Sequence, residues 1–129
     1  MNSLPDFHDG FVDGVFLSDS SARIFLRTVK GNRFTLILNE LEALRVNDLR
    51  KGNVVLEVVF LEPKQLDASF VFELYGYSDE HKKTFALGEW VKEATRKGLT
   101  AIEIAPSYGC TILAIFKNHS FSAGHDKLS

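Results

Sequence analysis

The fold is decided between Ala22 and Asn39, where the chain reads ARIFLRTVKGNRFTLILN. In both halves of this stretch an apolar side chain recurs at every second position, which is typical of a β-strand buried on one face. The even-numbered apolar positions that would share this face are Ala22, Ile24, Leu26, Phe34, Leu36 and Leu38. They share it only if the connecting loop has an odd number of residues. The segment Lys30–Asn32, with Gly31 available for a positive φ, meets that condition.

A third strand is predicted immediately before this hairpin. Phe11–Leu17 would place Val15 and Leu17 on the same apolar face, provided that the turn to the next strand has an even length. The polar segment Ser18–Ser21 supplies such a turn. The sequence therefore predicts a three-stranded antiparallel meander.

The segment Asn53–Leu61 is apolar on its even face and is broken only by Glu57 on its odd face. We expect such a strand to be buried on both sides, either in the middle of a sheet or under a helix. Between the meander and this strand, Leu41–Leu49 is expected to form a short strand followed by a turn.

Two helices are predicted in the second half of the chain. In residues 64–77 apolar side chains recur every three or four positions, although Val71 and Phe72 leave a strand as the alternative. From Phe85 to Ala94 an apolar stripe that includes Trp90 lies opposite a charged face, and we expect Trp90 to anchor this helix on the sheet. The apolar members of the two stripes are Leu66, Phe70, Leu74, Tyr77, Phe85, Leu87, Trp90, Val91 and Ala94.

A last hairpin is predicted from Leu99–Ala105 and Cys110–Lys117, around the turn Pro106-Ser107-Tyr108-Gly109. Four apolar side chains are expected to share one face of it: Ile102, Ile104, Leu113 and Ile115. The fold class is therefore α+β, with residues 1–117 as one domain. Its mostly antiparallel sheet has six or seven strands, and two helices pack on one face. Residues 118–129 are polar and without period, which predicts a flexible C-terminal tail.

Composition excludes several classes of partner. The net charge of −2 and the pI of about 6.1 provide no basic field, so we expect binding neither to nucleic acid nor to a membrane. The first residues lack the pattern of a secretion signal, and Cys110 is the single cysteine, which together favour the cytoplasm. No phosphate-binding loop, nucleophile elbow or paired metal-ligand motif is present, so no cofactor is expected.

One polar cluster could support chemistry. His8, Asp9 and Asp13 are the residue types that bind a metal ion or perform acid–base catalysis when they converge. The alternative is a turn that leads into the first strand, because Asp9-Gly10 is ordinary turn chemistry and no second cluster completes a metal site.

Two weaker candidates lie near the C terminus. Cys110, in the corner with Ser107, would need a positioned base to act as a nucleophile, and we expect a buried thiol instead. His119 and His125 lie six positions apart in the predicted tail, where we expect both to be exposed and without a role.

A different kind of site is indicated on the second strand. Arg23, Phe25 and Arg27 lie opposite its apolar face, and aromatic residues beside arginine are typical of protein–protein interfaces. If helices cover this face, the same residues would be absorbed into packing. If they do not, the sequence predicts an exposed patch for another protein or for a second copy of the chain.

The order of these features resembles small bacterial α+β proteins of unknown function, some of which are immunity-type proteins encoded beside toxins. The segments that carry the resemblance are Phe7-His8-Asp9-Gly10, Asp13-Gly14, Phe25-Leu26-Arg27-Thr28, Gly31, Phe34-Thr35-Leu36, Gly52-Asn53-Val54-Val55-Leu56 and Pro106-Ser107-Tyr108-Gly109-Cys110. The resemblance implies a protein that acts by binding and brings no catalytic residues with it.

Two hypotheses follow. The favoured one is a non-enzymatic binding protein of immunity or adaptor type that uses Arg23, Phe25 and Arg27. The alternative is a small-ligand binder or a metal-dependent enzyme built around His8 and its two aspartates, which requires the three side chains to converge in a cleft.

Overall fold

Six antiparallel strands close into a barrel in the computed structural model of the chain, which describes residues 4–125. The order around the barrel is β1-β2-β3-β6-β5-β4. The strands are β1 (Phe11–Leu17), β2 (Ser21–Arg27), β3 (Arg33–Asn47), β4 (Asn53–Leu61), β5 (Thr100–Tyr108) and β6 (Thr111–Ala123), and the helices are α1 (Ala68–Tyr75), α2 (Asp79–Thr84) and α3 (Leu87–Arg96). A mixed fold with a six-stranded antiparallel sheet is confirmed, whereas closure into a barrel was not predicted.

The meander has the predicted parity, although the loop between β2 and β3 contains five residues, 28–32, where the sequence suggested Lys30–Asn32. Ile24 of β2 pairs with Leu36 of β3 and with Val15 of β1, and Leu17 pairs with Ala22. The three residues Ile24, Leu26 and Leu36 are completely buried inside the barrel, so alternation does place the even-numbered side chains in the core.

The predicted strand and turn at Leu41–Leu49 are present, but the strand is the second part of β3. β3 continues to Asn47 and pairs with β6 along nearly its whole length. Glu40 adopts a positive φ of 50° and the register shifts between Leu41 and Ala43. A bulge of this kind bends a strand, and it separates the first half of β3, which pairs with both β2 and β6, from the second half, which pairs with β6.

The prediction that β4 is buried on both sides is also wrong. Register shifts between Val54 and Glu57 change the phase of the strand. Val55 is therefore buried inside the barrel, whereas Leu56 is 45% exposed. Phe60, which follows the register shifts, packs against the core of the barrel. A bulge is invisible to an alternation rule, because the rule assumes a constant period of two.

The last hairpin forms, but its inner face is not the predicted one. Ile102 pairs with Ala114 and Ile104 pairs with Ile112, and these four side chains lie inside the barrel. Leu113 and Ile115 lie on the outer face instead, under the helices. β6 is apolar on both faces in this segment, so its pattern contains no information on phase.

The predicted flexible tail is wrong for residues 118–123, which belong to β6 and pair with β3 from Asn39 back to Phe34. The domain boundary that the sequence places at residue 117 thus lies within a strand. Backbone hydrogen bonds hold this polar segment, and such bonds require no apolar period. Residues 126–129 lie outside the described residues.

The helices cover only part of the barrel. α1 and α3 confirm the two predicted helices, and α2 is an additional short helix between them without a buried residue. Asp67 caps α1 by accepting a hydrogen bond from the Phe70 N–H (2.9 Å), and Gly76 ends it in the left-handed conformation. The apolar layer between helices and sheet contains Leu66, Phe70, Leu74, Ala94, Leu99, Ala101, Leu113 and Ile115, with Trp90 packed against it. These side chains come from the helical segment and from β5 and β6.

Asn53 closes the barrel where β1 meets β4. It pairs with Val12 across the β1–β4 seam and is only 3% exposed. Its Oδ1 accepts hydrogen bonds from the backbone N–H groups of Arg50 (2.8 Å) and Cys110 (3.1 Å). Its Nδ2 donates to the carbonyl oxygens of Arg50 (2.5 Å) and Val12 (3.3 Å). One amide side chain thus joins β1, the turn before β4 and the β5–β6 hairpin.

Candidate functional site

The outer surface of the β1–β2 hairpin lies away from the three helices. We call it the β1–β2 face and define it by Phe11, Asp13, Phe16, Arg23, Phe25 and Arg27. Because Ala22, Ile24 and Leu26 occupy the barrel interior, the alternating residues of β2 must point outward. Arg23 lies directly opposite Phe16 in the register, so an arginine and an aromatic ring are neighbours on this face.

Arg27 is held firmly in place. Its Nε and Nη2 donate to the two carboxylate oxygens of Asp13 at 2.8 and 3.0 Å, and its guanidinium lies over the Phe11 ring at 4.4 Å from the centroid. The hydrogen bonds from Asp13 raise the pKa of Arg27 above its usual value. This bidentate pair and the ring contact fix the Arg27 side chain. Its charge is therefore engaged within the chain, and its role on the β1–β2 face is structural.

The chain segment after β6 covers the middle of the β1–β2 face. The His125 ring lies 5.3 Å from the Phe25 ring, and its Nε2 donates to the Leu26 carbonyl oxygen (3.3 Å) and lies 3.7 Å from Asp13. Beside it, the Thr35 hydroxyl donates to the Gly124 carbonyl oxygen (2.9 Å). Phe25 is therefore buried by packing within the chain, which is one of the two outcomes that the sequence left open. The segment after β6 covers it, and not a helix.

The end of the hairpin remains exposed. Phe16 is 37% exposed and Leu17 is 60% exposed, although the alternation predicted that Leu17 faces the core. Leu17 is the last residue of β1, where the barrel ends, so its side chain reaches beyond the interior. The exposed ring of the β1–β2 face is thus Phe16, with Arg23 opposite it, whereas Leu17 lies on the other side of β1 and is exposed at the open end of the barrel.

The structure does not bring His8, Asp9 and Asp13 together as a converging set. The His8 Nδ1–H donates to the Leu56 carbonyl oxygen of β4 (2.8 Å), and its Nε2 lies 3.5 Å from Asp9. The bond to Leu56, followed by the charge of Asp9, raises the pKa of His8. Asp13 binds Arg27 on the β1–β2 face instead. Within residues 4–125 no group of three or more His, Cys, Asp and Glu side chains is arranged to hold a metal ion.

The remaining sequence candidates are structural. Cys110 is buried, and desolvation raises the pKa of its thiol to about 11, which opposes any nucleophilic role. His119 stacks on Phe60 of β4 (4.3 Å between ring centroids), and partial burial lowers its pKa. His119 is exposed as expected, whereas His125 is partly buried, and both rings contact aromatic side chains.

Sequence reasoning missed an acidic cleft of about 310 Å³ between α1 and the outer face of the barrel. Asp67, Glu73 and Glu103 line it. Burial raises the pKa of Glu103, and the charges of Glu57, Glu73 and Asp67 raise it further. No sequence signal joins these residues, because they become neighbours only when α1 lies across β5 and β6. The three carboxylates favour a cation over an anion in this cleft.

Comparison with protein-family models, with curated proteins and with solved structures finds no match to this chain. Over residues 4–125, every helix is too short or too polar to cross a lipid bilayer. The geometry of the chain is therefore the basis for any statement on function.

Proposed function

We propose that this protein acts by binding another protein through the exposed end of the β1–β2 face. The observation that carries the proposal is the exposure of Phe16 (37%) and Leu17 (60%) on the part of the barrel that the helices leave uncovered. An aromatic side chain with an arginine beside it is typical of interface centres. Arg23 supplies that arginine, since it pairs with Phe16 across the hairpin.

The backbone pairing of the hairpin supports a rigid binding site. β1 and β2 are paired along their length, and the Asp13–Arg27 pair with the Phe11 ring fixes the other end of the β1–β2 face. A preorganised surface loses little side-chain entropy on association, which favours affinity. In its finer form the proposal is a cytoplasmic protein of immunity or adaptor type that performs no catalysis. The buried Cys110 thiol and the separation of Asp13 from His8 support that form.

The test compares the double variant Phe16→Ser, Leu17→Ser with a matched control. Leu49→Ser removes a leucine of similar exposure (54%) from the turn before β4, outside the β1–β2 face. Each tagged protein is used to capture partners by crosslinking in cells, and thermal unfolding confirms that each variant is folded. We expect one captured protein that the wild type and Leu49→Ser retain and that the double variant loses.

Two outcomes contradict the proposal. Equal capture by all three proteins would show that the β1–β2 face is not the binding surface. Light scattering on the purified protein supplies the other outcome: a dimer that the double variant converts to a monomer would assign the face to self-association instead.

A further inference from the structure

An aromatic cleft lies in the helical layer, on a different part of the molecule from the β1–β2 face. It has a volume of about 550 Å³ and opens between the end of α1, α2 and the start of α3. Four rings and one carboxylate line it: Tyr77, His81, Phe85, Trp90 and Glu89. The proposed function does not use any of these residues.

The rings around this cleft meet nearly at right angles. The Tyr77 ring centroid lies 5.6 Å from that of Phe85, with 68° between the planes, and 5.7 Å from that of His81, with 70° between the planes. Phe85 is supported from behind by Phe72 at 5.3 Å. Tyr77, Phe85 and Trp90 are each half-buried, so their rings are held by neighbours while part of their surface faces the cleft. Tyr77, Phe85 and His81 thus form one edge-to-face cluster at the cleft, and Trp90 of α3 also lines it.

The charges near the cleft favour a cation. The face of an aromatic ring is electronegative and attracts a positive group within about 6 Å of its centroid. The chain already places one cation on this aromatic cluster, because the Lys82 Nζ lies 5.6 Å from the Phe72 centroid. Glu89 adds a carboxylate, and its contact with Lys92 (3.8 Å) joins two side chains that are each 79% exposed, so this pair is weak.

We propose that the cleft binds a trimethylammonium group, either in a small molecule such as choline or in a trimethylated lysine of a protein. Such a group is bulky and weakly hydrated, so it gains contact with several rings while losing little hydration. A primary ammonium is compact and strongly hydrated and would lose more of its hydration in an open aromatic cleft. The volume of the cleft exceeds what one methylated ammonium fills, which leaves room for the atoms that carry it.

The first experiment uses the single tryptophan of the chain, Trp90, as the reporter. Choline is titrated into the full-length protein while Trp90 fluorescence is followed. The comparison ligand is 3,3-dimethylbutan-1-ol, which has the shape of choline without its charge. We expect saturable binding of choline and at least about tenfold weaker binding of the neutral analogue, because the attraction between ring faces and charge is lost. Equal affinities, or no binding of choline, would overturn the proposal.

Two variants test the assignment of residues. Tyr77→Leu keeps an apolar side chain but removes a ring, and Glu89→Gln removes the carboxylate from an exposed position. We expect about tenfold weaker choline binding for the first and about threefold for the second. The matched control is Tyr108→Leu, which removes a 51% exposed tyrosine at the end of β5, and it should bind as the wild type does. If the control loses as much affinity as Tyr77→Leu, or if Tyr77→Leu binds normally, the cleft is not the site.

A last comparison separates the two sources of the ligand. A peptide with one trimethyllysine is titrated beside the same peptide with unmodified lysine. Tighter binding of the methylated peptide than of choline would identify a modified protein as the source, whereas the reverse order would identify a small molecule. Binding of the unmodified peptide with equal affinity would contradict recognition of the methyl groups.

Discussion

Replacement of Asn53 by alanine should be among the most destabilising single changes in this chain. The side chain is almost completely buried and forms four hydrogen bonds that join the β1–β4 seam to the β5–β6 hairpin. Alanine removes all four and leaves the backbone groups of Arg50, Val12 and Cys110 without these partners. Water does not readily replace them at a position that is 3% exposed.

The magnitude follows from the number of bonds. Each neutral hydrogen bond contributes about 1 kcal/mol net, so the loss should be about 3 to 4 kcal/mol once the long bond to Val12 is discounted. The entropy of unfolding is about 2.1 cal/mol/K per residue, so for a chain of 129 residues this loss should lower the melting temperature by about 11 to 15 °C. The effect should be mainly on stability and not on the surface sites.

Urea unfolding followed by circular dichroism gives the required free energies. Asn118→Ala, at an exposed position of β6, is the matched control and should change the stability by less than about 0.5 kcal/mol. Gly109→Ala refines the test, because a Cβ at that position would lie 2.5 Å from the Asn53 Oδ1. This substitution should cost less in the Asn53→Ala background than in the wild type. A loss below about 1 kcal/mol for Asn53→Ala, or additive effects of the two changes, would refute the reasoning.

Three further predictions concern ionisable groups. Because burial and the neighbouring carboxylates raise the pKa of Glu103 in the folded state, Glu103→Gln should stabilise the protein by about 0.5 to 1 kcal/mol at neutral pH. The gain in the free energy of unfolding, measured by urea unfolding, should vanish below about pH 4, where glutamate is protonated in the unfolded chain as well. A gain that persists at that pH would contradict this prediction. Because burial lowers the pKa of His119, the wild type should lose stability as the pH falls below about 6.5. The part of this loss that His119 causes should be less than about 1 kcal/mol, and it should be absent in His119→Phe. Melting temperatures at two pH values check this, and an unchanged pH dependence would exclude it. Cys110, with a pKa of about 11, should react with iodoacetamide at least about a hundredfold more slowly than free cysteine at pH 8 until urea unfolds the chain, as measured by mass spectrometry. Rapid labelling of the folded protein would show that the thiol is accessible.

The sequence predicted those parts of the fold that depend on neighbours along the chain. The parity of two short loops determines which side chains of β1, β2 and β3 share a face, and the structure has that parity although its second loop is two residues longer. Alternation likewise placed Arg23 and Arg27 opposite the core side chains of β2. Helix periodicity located α1 and α3, since each has one apolar face against the barrel.

The remainder depended on contacts between distant segments. The phase of β4 changes at a bulge, and the phase of β6 is ambiguous where both its faces are apolar. The sheet closes through the pairing of β1 with β4, which includes Val12 with Asn53, and no pattern within either strand predicts this pairing. The Asp13–Arg27 pair arises because the register shift between Val12 and Gly14 lets Asp13 reach the outer face. His8 and Asp13 are close in sequence, and for that reason they suggested one site where the structure has two separate contacts.

The position of β6 in the barrel has a consequence for synthesis. β6 is the last strand that the structure describes, yet it lies between β3 and β5 and pairs with β3 from one end to the other. A nascent chain on the ribosome therefore exposes the edges of β3 and β5 until β6 has emerged, although the other five strands can already pair with one another. Unpaired strand edges are sites of aggregation, so newly made chains should depend on a chaperone more than the finished barrel does.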